Sequence, residues 1–236
     1  MLFCIMFDII DRYGIRKDRT SNRNTGSFAW GMVLMMIKTV IFDIGNVLTG
    51  FQWKEYYDTF SYSDEVKERI ADATVKSAVW AEYDRGNMTE EEIIEAFVKN
   101  DPEIEKEIRE SLADISGMLV RYDYAIPWIK SLKENGYQVL VLSNFSHKAV
   151  VDCAHALDFL PYTDGGILSY KDHFIKPQPE IYALLIDRYD LVPEECVFLD
   201  DLEENIKGAA NAGIHTILFK DEMQAKKELR EMGVKF

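Results

Sequence analysis

The chain has 236 residues, enough for one large domain or for one domain carrying a modest insertion. Its 47% hydrophobic and 29% charged residues describe an ordinary globular protein, and its net charge of −14 excludes an extended nucleic-acid or anionic-membrane surface, which needs a local excess of Lys and Arg. The three cysteines (Cys4, Cys153, Cys196) are odd in number and widely spaced, which fits neither a disulfide framework nor a zinc C-x-x-C, so a reducing cytoplasm is the expected setting.

The chain opens on "MLFCIMFDIIDRYG", an apolar run broken by Asp8 and Asp11 with no basic segment before it, and so a poor signal peptide. "RKDRTSNRNTGS" follows, polar and without a period. Residues 1–35 carry five basic and three acidic side chains, +2 in all, which leaves −16 on the remainder. The shift predicts that the domain begins at Met35 or Met36 and that residues 1–35 are a poorly ordered N-terminal extension or an over-called translation start. No stretch approaches the ~18 uninterrupted apolar residues that would span a membrane.

From Lys38 onward the pattern alternates. "TVIFD" reads as a buried strand, short, β-branched and apolar on both faces, as parallel strands covered by helices must be. From Gly50 to about Arg121 helical segments follow with no convincing strand. Thr89 and Glu92 make a capping box, and Asp101-Pro102 reads as the N-cap and first position of another helix. This interval is rich in aromatics (Phe51, Trp53, Tyr56, Tyr57, Phe60, Tyr62, Trp80, Tyr83), read as its own core, with a ligand-stacking wall as the alternative. "AIPWIKSLKENG" is then a helix closed by Gly136, and "YQVLVLSN" (Tyr137–Asn144) the second strand. "PEIYALLIDRYD" is a helix opened by Pro179, "ECVFLDD" (Glu195–Asp201) a strand, "LEENIKGAANAG" a helix closed by Gly213, and "IHTILFKD" (Ile214–Asp221) the last strand. There is no internal repeat. Alternation of this kind predicts an α/β fold: a Rossmann-like parallel sheet with right-handed crossovers, helices on both faces, and an inserted all-helical unit.

The polar residues fall where three apolar strands end: Asp43, Ser143-Asn144 and Asp200-Asp201. In an open parallel sheet those ends share one crevice, although the residues lie far apart in sequence. Lys176, in "FIKPQPEIY", sits in a loop before a helix at the same edge. Each piece has an ordinary alternative. Asp200-Asp201 could cap a helix, Ser143-Asn144 could be a turn, and Lys176 a solvated lysine. Asp43 is harder to dismiss, since an acid after "VIF" is costly to bury without a partner. The four histidines show no metal-ligand spacing.

"FDIGNVL", "LSN", "IKP" and "FLDDxxxN", in this order, resemble motifs I to IV of the haloacid dehalogenase-like hydrolase superfamily, over Lys38 to about Asp221. The helical interval stands where that family's small α-helical cap belongs, which implies a core of residues 36–50 and 122–236 and a cap of residues 51–121. The resemblance also implies an aspartyl-phosphate formed on Asp43 as nucleophile. It implies one Mg²⁺ held by Asp43, the Gly45 carbonyl and Asp201 with Asp200 in support, and a phosphoryl group bound by Ser143, the Asn144 backbone N–H and Lys176. Lys176 is thus both a catalytic and a phosphate-binding residue. In the cap, "WAEYDRGNMTEEE" is the segment nearest the site, where Arg85 or Trp80 either faces substrate or packs a helix end.

One position departs from the family pattern. Most of its phosphatases carry a second aspartate two residues after the nucleophile, which protonates the leaving oxygen and then activates water; here that position is Gly45. Three readings follow. The leading one is a Mg²⁺-dependent phosphatase of small phosphorylated metabolites. It resembles the glycine-bearing subgroup that includes an α-D-glucose-1-phosphate phosphatase, where an anomeric phosphate leaves with less acid assistance. The second is a dehalogenase, which leaves Asp200-Asp201 without a role. The third is a catalytically weak phosphate-binding or regulatory protein.

Overall fold

The computed structural model describes residues 36–236; the extension expected over residues 1–35 lies outside them. The chain enters on β1 (Thr39–Phe42) and passes through β2 (Thr49–Phe51). Five helices follow: α1 (Trp53–Asp58), α2 (Asp64–Ala73), α3 (Ala78–Arg85), α4 (Glu90–Asn100) and α5 (Glu105–Ala113). The chain returns through β3 (Leu119–Arg121) and then alternates through α6 (Ala125–Glu134), β4 (Gln138–Ser143), α7 (His147–Asp152) and β5 (Gly166–Leu168). It ends with α8 (Pro179–Arg188), β6 (Cys196–Asp200), α9 (Glu203–Asn211), β7 (His215–Leu218) and α10 (Glu222–Glu231).

The main sheet has the order β5-β4-β1-β6-β7, with every neighbouring pair parallel. β1 lies at its centre, with Ile41 opposite Leu140 on one side and Phe198 on the other. Its residues alternate between two apolar layers, as the two-residue period of a strand requires. Val40 and Phe42 join the layer containing Trp128 and Leu132 of α6 and Leu229 of α10; Ile41 joins the layer built on Ile181 and Leu185 of α8 and Ala209 of α9. Covering both faces explains why this strand is apolar throughout. The Phe42 ring meets Trp128 edge-on at 4.9 Å.

The helical interval is attached through an antiparallel ribbon, β2 against β3, with Gly50 opposite Val120. This ribbon departs from the strand-free interval expected from sequence. Each of its strands has only three residues, too few for an alternation to show. Strand β5 also went unread, because it is three residues long and begins with a glycine. At Gly166 (φ 145°) a Cβ would lie 2.1 Å from the Val141 carbonyl oxygen, so only glycine lets this edge strand pair with β4. The Thr89–Glu92 capping box forms as expected. Asp101 and Pro102 stand at the N-cap and first positions as expected, but of a short 3₁₀ turn before α5, and the Asp101 carboxylate takes two hydrogen bonds from Arg69, each 2.7 Å, in place of a capping bond.

Most of the aromatics in this interval form its core: Tyr56 packs against Tyr57 and Phe60, and Phe60 stacks on Tyr62. Phe51 and Trp80, 5.9 Å apart, stand instead at the wall of a cavity. Among the described residues no helix is long and apolar enough to cross a membrane.

Candidate active site

The cavity, about 250 Å³, lies beyond the C-terminal ends of β1, β4 and β6. Asp43, Gly45, Ser143, Asn144, Lys176 and Asp201 all line it. Asp200, the last residue of β6, is fully buried beneath it and is not part of the wall.

Lys176 organises the acids. Its Nζ lies 2.8 Å from Asp43 Oδ1 and 2.7 Å from Asp200 Oδ2, and all three side chains are buried. A buried ammonium between two buried carboxylates is tolerable only when the remaining lone pairs are also satisfied. Those of Asp200 are: it accepts from the Leu202 N–H at 2.8 Å and from Asn205 Nδ2 at 3.0 and 3.1 Å, while Asp43 Oδ1 also accepts from the Ile44 N–H at 2.7 Å. Asp200 therefore spends its oxygens on orientation, and Asp43 and Asp201 face the cavity.

Burial pushes the Asp43 carboxyl up to about 6; Lys176 opposes the rise, Asp200 adds to it, and the Ser143 hydroxyl lowers it by hydrogen bonding. Asp201 is also raised, first by burial, with the Asn46 amide pulling it back. Oxygens of Asp43, Asp200 and Asp201 lie within 4.8 Å of one another. Three carboxylates with a single ammonium among them leave about two negative charges uncompensated. An all-oxygen donor set of that charge fits a hard divalent cation such as Mg²⁺.

The loops that carry these groups are pinned by asparagines. Asn144 holds the main chain of Lys176 reciprocally, accepting from its N–H at 2.7 Å and donating to its carbonyl at 3.0 Å. Its side chain is thus committed to positioning Lys176. Asn46, in a left-handed turn (φ 56°), donates to Asp201 at 3.0 Å and accepts from the Phe51 N–H at 3.2 Å, tying the loop after β1 to the ribbon. Neither Asn46 nor Asn205 was singled out from sequence. Both stood inside the quoted motifs, and the third residue after Asp43 and the fifth after Asp200 were the only signal available.

From the helical side, Phe51, Trp80, Asp84, Ile115, Met118 and Leu119 complete the wall. Arg85 does not: its guanidinium bonds Gln178 Oε1 at 2.9 Å, the His173 carbonyl at 3.2 Å and Glu82, so it packs the helix end. Of the two candidates in that segment, Trp80 lines the cavity.

The haloacid dehalogenase-like hydrolase family profile matches residues 37–213, three quarters of the chain. The chain belongs to this family. Among its relatives, acyl-CoA dehydrogenase family member 10 of Mus musculus is 29% identical over 208 residues, 83% of this chain, and the chain spans only 19% of that relative's length. The sesquiterpene phosphatase astK of Aspergillus oryzae is 24% identical over 199 residues, 83% of this chain and 96% of its own. The family enzyme bt-2542 of Bacteroides thetaiotaomicron, solved with magnesium and inorganic phosphate, superposes with a TM-score of 0.60 at 25% identity, covering 79% of this chain and 96% of that one. The Rossmann-like parallel core with helices on both faces is thus the family's fold, and phosphatases are among the chain's relatives.

Proposed function

We propose that the protein is a Mg²⁺-dependent phosphatase of small phosphorylated metabolites, acting through an aspartyl-phosphate on Asp43. The observation that carries this reading is the buried Asp43–Lys176–Asp200 bridge beside Asp201 at the mouth of one crevice. A phosphatase relative and a structural neighbour holding magnesium and inorganic phosphate support it. The helical unit of residues 51–121 acts as the cap over a core of residues 36–50 and 122–236. Asp43, the Gly45 carbonyl and Asp201 would hold the ion, with Asp200 fixing Lys176 behind them. Bound there, Mg²⁺ supplies positive charge against the phosphoryl oxygens.

The chain's own residues do the rest. Asp43 attacks phosphorus as the bond to the leaving alcohol breaks, and water then releases inorganic phosphate and frees Asp43. Lys176, Ser143 and the Asn144 backbone N–H bind the phosphoryl oxygens. Catalysis of this kind is mostly positioning and electrostatic stabilisation. A dehalogenase would leave Asp201 without a task, and a binding-only role would not require Asp43 at the end of a central strand.

The cavity wall bears on the substrate. Much of it is apolar, with Phe51, Trp80, Ile115, Met118, Leu119 and Phe145 among its lining. A sugar ring would strand its hydroxyls against these side chains. The wall therefore favours a small apolar or aromatic phosphate ester over glucose 1-phosphate. The test is phosphate release from a panel of aryl, alkyl and sugar phosphates with Mg²⁺ or EDTA, for wild type and Asp43→Asn. Mg²⁺-dependent release abolished in the variant supports the reading. Silence on every ester, or release that survives the substitution, overturns it.

A further inference from the structure

The family's usual acid is missing, and nothing has grown into its place. A Cβ built on Gly45 meets no atom within 4 Å, so the space beside Asp43 is open. Across the same cavity stands one carboxylic acid from the helical unit, Asp84 at the end of α3. Among the described residues no hydrogen bond joins it to Asp43, Asp200 or Asp201.

The position of Asp84 is fixed from the core side. Its carbonyl accepts from Ser169 Oγ at 2.6 Å, and the buried Ser169 also receives the Phe145 N–H at 2.8 Å. One residue on, the Arg85 carbonyl lies 3.0 Å from His173 Nδ1 while its guanidinium grips Gln178 and the His173 carbonyl. Gly86 follows in a left-handed turn (φ 73°), where a Cβ would lie 2.8 Å from the Tyr170 carbonyl oxygen. Four successive anchors hold this helix end against the core, so the Asp84 carboxyl is pre-positioned over the crevice and does not ride on a free lid.

We propose that the Asp84 carboxyl is the general acid and base of this site, filling from the helical unit the role that Gly45 leaves open. The assignment rests on the phosphatase reading. In the first step the Asp43 oxygen–phosphorus bond forms, the phosphorus–oxygen bond to the alcohol breaks, and the proton of Asp84 passes to the departing oxygen. In the second, water attacks phosphorus, Asp84 takes its proton, and the bond to Asp43 breaks to give inorganic phosphate. The donor is restored at each turnover.

The electrostatic setting suits this exchange. Burial holds Asp84 up at about 7; Lys176 opposes the rise, Asp43 adds to it and the Ser146 N–H lowers it. The other charged groups nearby are engaged elsewhere: Glu82 with Arg85, Lys148 with Glu90 and Asp152, Asp172 with Arg188, and Asp201 with Asn46. Lys171 lies over the Tyr170 ring, as His147 packs beside it.

The experiment compares wild type, Asp84→Asn and Asp84→Asn/Gly45→Asp on two esters, p-nitrophenyl phosphate and a primary alkyl phosphate. An acid matters only for the poor leaving group and only in the first step, which kcat/KM reports, so Asp84→Asn should cost about 10²–10⁴-fold in kcat/KM on the alkyl ester and far less on the aryl one, while loss of the base slows the shared second step on both. The double variant should recover part of the alkyl activity, because an aspartate at position 45 has room. Equal losses of kcat/KM on both esters, or no loss on the alkyl ester, overturn the assignment. A second readout needs no turnover. If Asp84 titrates near neutrality, Asp84→Asn should raise Tm more at about pH 8.5 than at about pH 5.5, and a pH-independent difference overturns the proposal. Wild type inert on both esters sinks the phosphatase reading itself, a result distinct from a lost leaving-group dependence.

Discussion

Lys176 carries more of the site than any other single side chain, because two buried carboxylates face it and each other. Lys176→Met should therefore do double damage: a loss of about 10²–10³-fold in kcat from the missing positive charge, and about 3–5 kcal/mol of stability from two uncompensated acids. Urea denaturation in EDTA measures the second effect, and Mg²⁺ should return part of it. Much of this residue-scale chemistry was legible beforehand. An acid that ends an apolar strand contradicts the strand's own burial pattern, so Asp43 and Asp200 announce themselves. Asn46 and Asn144 act through hydrogen bonds to partners 155 and 32 residues away, and no local pattern encodes such a bond. Asp84 was hidden for the same reason: in sequence it is one of two acids, with Glu82, on an amphipathic helix.

At the scale of elements, what matters is how α3 is seated. Ser169→Ala removes the hydroxyl that receives the Phe145 N–H and donates to the Asp84 carbonyl. It should cost about 1–3 kcal/mol, since a buried N–H is left unpaired, and should slow turnover by loosening α3 over the crevice. Thr89→Ala makes a useful contrast. It breaks the capping box of α4 for about 1 kcal/mol, yet should leave kcat alone because α4 stands away from the cavity wall. α6, α8, α9 and the four longer strands could be read from their apolar periods and from Gly136, Pro179 and Gly213, whereas α10 was not read. β2, β3 and β5 could not, because three residues hold too little of a two-residue period. Their existence is decided by their pairing partners.

For the whole molecule, three raised carboxylates, Asp43, Asp84 and Asp201, set the pH response of the metal-free form. Asp43 at about 6 and Asp84 at about 7 bind protons more tightly folded than unfolded, where the ordinary value is 3.8. Their contribution to stability is fully present below the unfolded value and is lost as pH rises through about 6–7. The EDTA-treated protein should thus melt lower at about pH 8 than at about pH 5.5. A divalent cation favours ionised Asp43 and Asp201, so the gain in Tm from Mg²⁺ should widen over the same interval. A thermal scan at both pH values, with and without the ion, checks the sign; a gain that shrinks with pH would contradict it.

The β2–β3 ribbon also bears on how the sheet assembles. Thr39 of β1 and Gln138 of β4 touch although 99 residues separate them. Bringing them together first would close one long loop. With the ribbon already zipped, Thr49 lies against Arg121, and the path from Thr39 to Gln138 shortens to roughly 27 residues. Since each doubling of loop length costs about 0.6 kcal/mol, the ribbon lowers the entropic cost of docking β1 on β4 by about 1 kcal/mol. A hairpin-like clasp of six residues thereby turns a distant strand pairing into a near-local one, and refolding should slow when it is weakened, for instance by proline at Val120.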